Sequence, residues 1–238
     1  MSGQNEFASL LTGLHEKATP QDILDRVVKT ALQVMGCDGA ACALWRDHGG
    51  LQLGAFTDAA AKRAGMLQLE LEDGPCLTAV RVGGHVRVDR TTTDKRWPEW
   101  AAVVLELGVC SSISVALTSG DPRSVGSLFV YSHRANAFDD EDVATVQILA
   151  AHAAIAVRQV RHDAALERAI DTRTVIGQAQ GIVMNRYHVT ANQAFAALTR
   201  CSQASNVKLR DVAATVVRDG DLPRVDPGPN DGDDPLID

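Results

Sequence analysis

The chain has 238 residues, 45% of them apolar but only 4% aromatic, and a formal net charge of −7. That length carries one or two domains with a sizeable core, and the acidic surplus excludes nonspecific nucleic-acid binding by the surface as a whole. Five cysteines (Cys37, Cys42, Cys76, Cys110, Cys201) form no CxxC pair. They argue against a disulfide framework or a zinc site and read as buried or half-buried thiols. No apolar run approaches the ~20 residues of a membrane span, and the N-terminal MSGQNEF is no signal peptide, so a cytoplasmic location and no membrane partner are expected.

Phe7, Leu10, Leu11 and Leu14 give the first 18 residues a short amphipathic helix suited to packing or dimer contact. A second helix opens at Thr19 and Pro20, with the threonine as N-cap and the proline at the first helical position. Ile23, Val27, Ala31 and Val34 form its buried stripe, and Gly36 ends it. Residues 40–45 are a short apolar run, His48, Gly49 and Gly50 a turn, and Leu51, Leu53 and Ala55 alternate after it, which predicts a hairpin. Residues 58–68 read as helix, residues 72–76 as a loop, and a further helical segment runs through Val82. Val86 and Val88 mark a half-buried strand, and residues 94–100 lead into a helix to about Leu107. Ile113, Val115 and Leu117 alternate with Ser112, Ser114 and Ala116 as another strand. Gly120, Asp121 and Pro122 turn the chain, and residues 125–131 pair back.

From Asp139 a helical pattern runs with no Gly or Pro until Gly177, and four acids (Asp139, Asp140, Glu141, Asp142) crowd its first turn, where the helix dipole favours them. Val146, Ala150, Ala153, Val157, Val160 and Ala164 step by four and three in alternation, the spacing of a coiled-coil seam that pairs two chains. After Ala164 the stripe shifts toward Leu166, Ala169 and Ile170. No flexible linker interrupts this helix, so a rotation or a change of dimer geometry has a rigid path.

Residues 168–218 read as three helices. Ile176, Ala179, Ile182 and Val183 recur at helical spacing, then Ala194, Leu198 and Cys201, then Leu209, Val212, Ala213, Val216 and Val217. Thr190 and Gln193 form a capping box, Asn206 is a candidate N-cap for the third helix, and Gly220 a terminating glycine. Residues 167–218 hold six Arg and one Lys against three acids, net +4 inside a net-negative chain. Residues 219–238 hold seven acids and one Arg among Pro and Gly, which reads as a disordered, solvating tail; a sharper reading has it compete with a polyanion for the basic surface.

Within 168–218 the order R-x-x-I-x-x-A-x-G, then Ala194 and Phe195 before Leu198, then Asn206, Lys208, Leu209, Asp211, Val212 and Ala213, resembles the ANTAR module. One departure is Gln180, where many members carry Lys. The segments GPCLTAV, HVRVD, RWPEWA, LGVCSSISVAL, GSLFVYS, AFDDEDV and LAAHAAIAV resemble a GAF domain, of the kind found beside ANTAR modules in actinobacteria. The resemblances imply an α+β chain: a GAF domain with an antiparallel sheet flanked by helices, joined by a long helix with coiled-coil character to an all-α three-helix ANTAR domain. The expected divisions are an N-terminal helix (1–19), the GAF sensor (20–160), the ANTAR domain (161–220) and the acidic tail (221–238). ANTAR modules bind RNA and regulate transcription termination. The implied partner is therefore a pair of short hairpins in a nascent transcript, held by a homodimer so that the antiterminator forms.

RNA recognition needs cations for phosphates and planar or amide groups for bases. Arg173, Gly177, Gln180 and Met184 share one face of the first ANTAR helix, and Arg200, Gln203, Asn206, Lys208 and Arg210 cluster around the following turn. The RNA-site set is Arg173, Gln180, Arg200, Gln203, Asn206, Lys208 and Arg210. Gly177 and Gly181 weaken a helix by roughly 1 kcal/mol each against alanine, so tight helix packing or a close RNA approach is expected at them. In the GAF domain, Cys76, Trp97, Trp100, Cys110, Ser112 and Ser114 fall in segments that border the ligand cavity of similar domains, and they are the candidate small-molecule pocket. Against that role, the tryptophans suit a core, Cys76 suits a packed thiol rather than a redox sensor, and His152 suits helix packing rather than haem ligation. No cofactor, metal site or catalytic residue is expected. The competing readings are a helix-turn-helix-like DNA binder, opposed by the Ala/Val-rich last helix, a GAF module for protein interaction alone, and a thiol-based sulfoxide reductase, opposed by the scattered cysteines.

Overall fold

The computed structural model describes residues 19–46, 49–120 and 124–223. The expected N-terminal helix, His48, the Asp121 and Pro122 turn and the tail beyond 223 lie outside those residues. The chain divides into two compact units, Met1–His162 and Asp163–Asp238.

In the first unit α1 (Pro20–Met35) begins at a closed capping box, in which the Thr19 hydroxyl accepts the Asp22 amide and the Asp22 carboxylate accepts the Thr19 amide at 2.8 Å. It stops at Gly36, in the left-handed conformation with φ 59°. Its buried face is Ile23, Leu24, Val27, Val28 and Ala31. Val34, expected in that stripe, is 37% exposed, because the 3.6-residue repeat carries Met35 rather than Val34 onto the core in the last turn.

Five strands follow: β1 (Gly39–Trp45), β2 (Leu51–Phe56), β3 (His85–Val88), β4 (Ser111–Ala116) and β5 (Gly126–Ser132). They form one antiparallel sheet in the order β2-β1-β5-β4-β3. The β1–β2 hairpin has the predicted pairing, with a bulge between Cys42 and Ala43. The helices α2 (Ala59–Glu70), α3 (Pro75–Val82) and α4 (Pro98–Glu106) supply the second core on one sheet face. α3 begins at Pro75, so Pro75 and Cys76 are helical rather than part of the preceding loop; proline suits a helix's first position because its missing amide is unsatisfied there anyway.

The opposite face packs α1 and the first part of α5 (Asp140–Tyr187). The Asp139 carboxylate accepts the Glu141 and Asp142 amides at 2.9 and 3.0 Å, and the Asp142 carboxylate returns a contact to the Asp139 amide, so the acidic cluster caps this helix. Arg87 of β3 ties that end down through Asp140 (2.6 Å) and Asp89 (2.8 Å). Val143, Val146, Leu149, Ala150, Ala153, Ala154 and Val157 are buried against the sheet. Most of the stripe named as a seam between chains is thus the face α5 turns to its own sheet. An amphipathic helix and a coiled coil share the same three-and-four spacing. The exposed apolar residues of α5 are instead Ile148, Ile155, Leu166 and Ile170. One 18-residue window of α5 reaches a mean hydropathy of 1.4, long and apolar enough to cross a membrane, contrary to the expectation from the sequence. The buried 39% of that window packs on the sheet, and Ile148 and Ile155 in the same stretch are exposed.

The second unit consists of α5 from Asp163, α6 (Ala191–Ser205) and α7 (Leu209–Asp219). Ala179, Val183, Ala194, Leu198, Val212, Ala213 and Val216 form its core, and Val217, expected among them, is 38% exposed on the far side of α7. The Thr190/Gln193 capping box starts α6, and Gly220 at φ 75° ends α7. Asn206 is a C-cap of α6 and not an N-cap of α7. It adopts φ 52°, ψ 34°, a left-handed conformation that asparagine tolerates better than most residues, and Lys208 takes the N-cap position. Beyond Gly220 the Asp221 carboxylate accepts the Tyr187 hydroxyl and pairs with Arg186 at 2.9 Å, and Leu222 packs on the core.

Two outcomes follow. A Cβ at Gly126 would strike the Ala43 carbonyl oxygen, so Gly126→Ala should unfold the first unit at lower denaturant than wild type. The Asp221 carboxyl is held below its ordinary pKa, chiefly by the Tyr187 hydroxyl. A depressed carboxylate contributes stability above its unfolded pKa of about 4 and loses it as pH falls through the folded value. Asp221→Asn should therefore melt earlier than wild type by circular dichroism at neutral pH, with the difference vanishing in acid.

Candidate functional site

In the second unit the expected RNA-site residues all lie on the surface or at its edge. Arg173, Arg200, Gln203, Asn206, Lys208 and Arg210 are exposed, and Gln180 is half-buried. The left-handed Asn206 reverses the chain between α6 and α7, with its amide on the carbonyls of Ser202 and Gln203. The Val207 amide also bonds Ser202, and the Ser202 hydroxyl returns to the Val207 carbonyl at 2.6 Å, which pins the turn. Gln203 lies in the last turn of α6 before it, and Lys208 and Arg210 follow it at the start of α7.

The cations of this unit fall into two classes. Arg186 is held by Asp221 and Arg218 by Asp219, while Arg168 donates to the Ala164 carbonyl. Among the described residues no carboxylate pairs with Arg173, Arg200, Lys208 or Arg210. Gln180 donates Nε2 to the Ala191 carbonyl at 2.6 Å, so it fastens the start of α6 to α5 as well as facing outward. Met184, expected beside it on the outer face, packs against the core. At Gly177 and Gly181 a Cβ would meet nothing within 4 Å. Helix packing within the unit therefore does not require either glycine.

In the first unit the candidate pocket residues are mostly packed together. Cys76, Trp97, Trp100, Ser112 and Ser114 are buried and Cys110 is half-buried. Trp100 donates its indole N–H to the Ala64 carbonyl at 3.1 Å and meets Phe129 edge-on at 6.2 Å. Trp97 lies under the Arg96 guanidinium at 4.4 Å. The Cys76 sulfur lies 3.5 Å from the Ser114 hydroxyl, and burial pushes its thiol above the ordinary pKa, as expected of a packed and unreactive cysteine. The serine side of β4 is interior: Ser112 and Ser114 are fully buried on the second-core face of the sheet, Ser114 against Cys76 of α3, and the Ser112 hydroxyl has no hydrogen-bond partner among the described residues.

Two clefts open at the margin of this core. One of about 170 Å³ lies between Leu71, Asp73, Trp97, Glu99 and Trp100. The other, about 330 Å³, is bounded by Trp45, Leu51, Leu69, Leu77, Val80 and Arg81. Arg81 stands at its edge with its guanidinium on the Glu72 carbonyl at 2.8 Å. None of the larger cleft's residues is among the candidate pocket residues expected from the sequence, because a cleft between a hairpin end and two helices has no local signature. Nor is the exposure of Phe195 among those expectations. All three tryptophans (Trp45, Trp97, Trp100) belong to this unit. Among the described residues no group of three or more His, Cys, Asp or Glu is arranged to hold a metal ion.

Comparison with known proteins matches residues 17–158 to the GAF domain and residues 164–217 to the ANTAR domain. No curated protein matches significantly. Among solved structures, the GAF domain of a phosphoenolpyruvate-protein phosphotransferase from Coxiella burnetii is similar at TM-score 0.53 and 17% identity, covering 68% of this chain and 96% of that one. The GAF domain of the Acinetobacter phosphoenolpyruvate-protein phosphotransferase is similar at TM-score 0.53 and 15% identity, covering 71% and 98%. At such identities the likeness shows the fold alone. GAF and ANTAR are sensory and regulatory domains. With the first covering more than half of the chain and the second following it directly, the chain belongs to the GAF family and is a GAF–ANTAR regulator.

Proposed function

We propose that this chain is a cytoplasmic transcription antitermination regulator in which the GAF domain senses a signal and the ANTAR domain binds RNA. A homodimer holds two short hairpins of a nascent transcript by their unpaired loop bases, so that the antiterminator forms in place of the terminator. The observation that carries this reading is the set of unpaired cations: Arg173, Arg200, Lys208 and Arg210 are exposed without a carboxylate partner among the described residues, on a segment of net +4. Phosphates are the complementary partner for such a set. Gln203 and Asn206 stand among them and offer amides to base edges, which loops expose and A-form stems hide.

Gly177 and Gly181 support the same face. Each weakens α5 by roughly 1 kcal/mol, and no neighbour within the unit needs the space. A sugar–phosphate strand lying close against the helix backbone does need it. For the dimer, the exposed apolar residues Ile148, Ile155, Leu166 and Ile170 of α5 are the surface a second copy would cover. The two clefts beside the second core are where a small ligand of the GAF domain would bind.

Crosslinking the full-length chain to RNA in cells, then sequencing, tests the reading: a recurrent pair of hairpins upstream of genes is expected, and recovery of duplex DNA alone would overturn it. Arg200→Ala and Lys208→Ala should each weaken binding of that RNA and flatten its salt dependence while the melting curve stays unchanged; normal affinity in both at low salt removes the assignment. Gly177→Ala and Gly181→Ala should each stabilise the helix by roughly 1 kcal/mol yet bind RNA more weakly. Greater stability with unchanged affinity would take RNA away from that face.

A further inference from the structure

Residues 163–238 contain two aromatic side chains, Tyr187 and Phe195. Tyr187 packs against the second unit's core and donates its hydroxyl to Asp221. Phe195 is 44% exposed on α6, although Ala194, Ala197 and Leu198 beside it in sequence are buried. A small domain gains stability from each apolar side chain it covers. Folding gains nothing from its exposed part, as it gains nothing from the exposed Val207 and Val217 of the same unit; what sets Phe195 apart is that it is the exposed aromatic ring among them.

Its surroundings favour one occupant. At about 100° per residue, Asn192 and Thr199 lie one turn from Phe195 on the same side of α6, and Gln203 lies two turns on. Asn192 and Gln203 are exposed. Gln180 reaches over from α5 to the Ala191 carbonyl, one turn before the ring. α6 carries no Asp or Glu, and its one charge is Arg200. A protein-docking patch presents contiguous apolar area, but this ring is bordered by amides and a hydroxyl on a helix with no carboxylate. That arrangement suits a nucleobase: the ring offers a stacking face, the amides offer both donors and acceptors to a base edge, and nearby cations meet the phosphates.

On the RNA-binding reading above, we infer that Phe195 is the platform on which an unpaired loop base stacks, with Gln180, Asn192 and Gln203 placed to meet that base's edge. This role differs from the phosphate contacts of Arg200 and Lys208. It makes Phe195 responsive to whether a base is present and indifferent to salt.

The test uses the full-length chain, the hairpin RNA recovered by crosslinking, and the same RNA with abasic loop positions. Phe195→Leu should weaken binding of the intact RNA about 10-fold or more, and Phe195→Tyr should stay within about 3-fold of wild type. On the abasic-loop RNA, wild type and Phe195→Leu should bind alike. Three results overturn the inference: unchanged affinity of Phe195→Leu for intact RNA, an equal loss on both RNAs, or a loss that tracks dissociation of the oligomer in sedimentation. Failure of wild type to bind either RNA at low salt removes the RNA-binding reading itself. Normal wild-type binding with an unaffected leucine variant removes only the stacking role.

Discussion

The burial of apolar side chains on α5 is the constraint on which each unit depends. From Val143 to Val157 the helix must present an apolar stripe to close the core beneath the sheet, and Ala179 and Val183 must be apolar to seed the core of the second unit. Between the two, residues 162–171 are exposed on every side. Side chains bonding back one turn, Arg168 to Ala164 and Thr172 to Arg168, are the local support there. A bare helix of that length is marginal in water on its own. It persists because both of its ends are anchored.

Charge is sorted along the same chain. The first turn of α5 gathers acids where the dipole wants them and fixes one with Arg87, while the ANTAR domain keeps four cations without partners among the described residues. An overall charge of −7 suppresses indiscriminate attraction to polyanions, and the local surplus restores it on one domain. On the proposed RNA-binding reading, discrimination then falls to short-range contacts with bases, which salt screens least.

Much of this was legible in the sequence because capping chemistry is local. The Thr19 and Thr190 boxes, the helix-ending Gly36 and Gly220, and the β1–β2 hairpin each follow from a few adjacent residues. What could not be read were features for which one pattern has two physical solutions. The Val146 to Val157 stripe suits a sheet face as well as a partner helix, and only the strand order shows which it meets. Asn206 is a good N-cap and also a good left-handed C-cap, separated only by where α6 happens to end. Ser112 and Ser114 alternate with apolar residues like a solvent-facing row, yet both are fully buried on the second-core face, where small size rather than polarity suits them. At the candidate site the cations and amides were legible by type, whereas the absence of a carboxylate partner for four of the cations among the described residues, and the open space over Gly177 and Gly181, exist only in three dimensions.

The placement of Trp45, Trp97 and Trp100 in the GAF domain, with none in the ANTAR domain, gives the molecule an optical division of labour. Indole emission belongs wholly to the sensing half. A change in indole emission on adding a metabolite originates in the domain that bears the clefts, whereas, on the proposed reading, a change on adding RNA has travelled from a domain with no indole of its own. Input and coupling can therefore be told apart in one cuvette without a label.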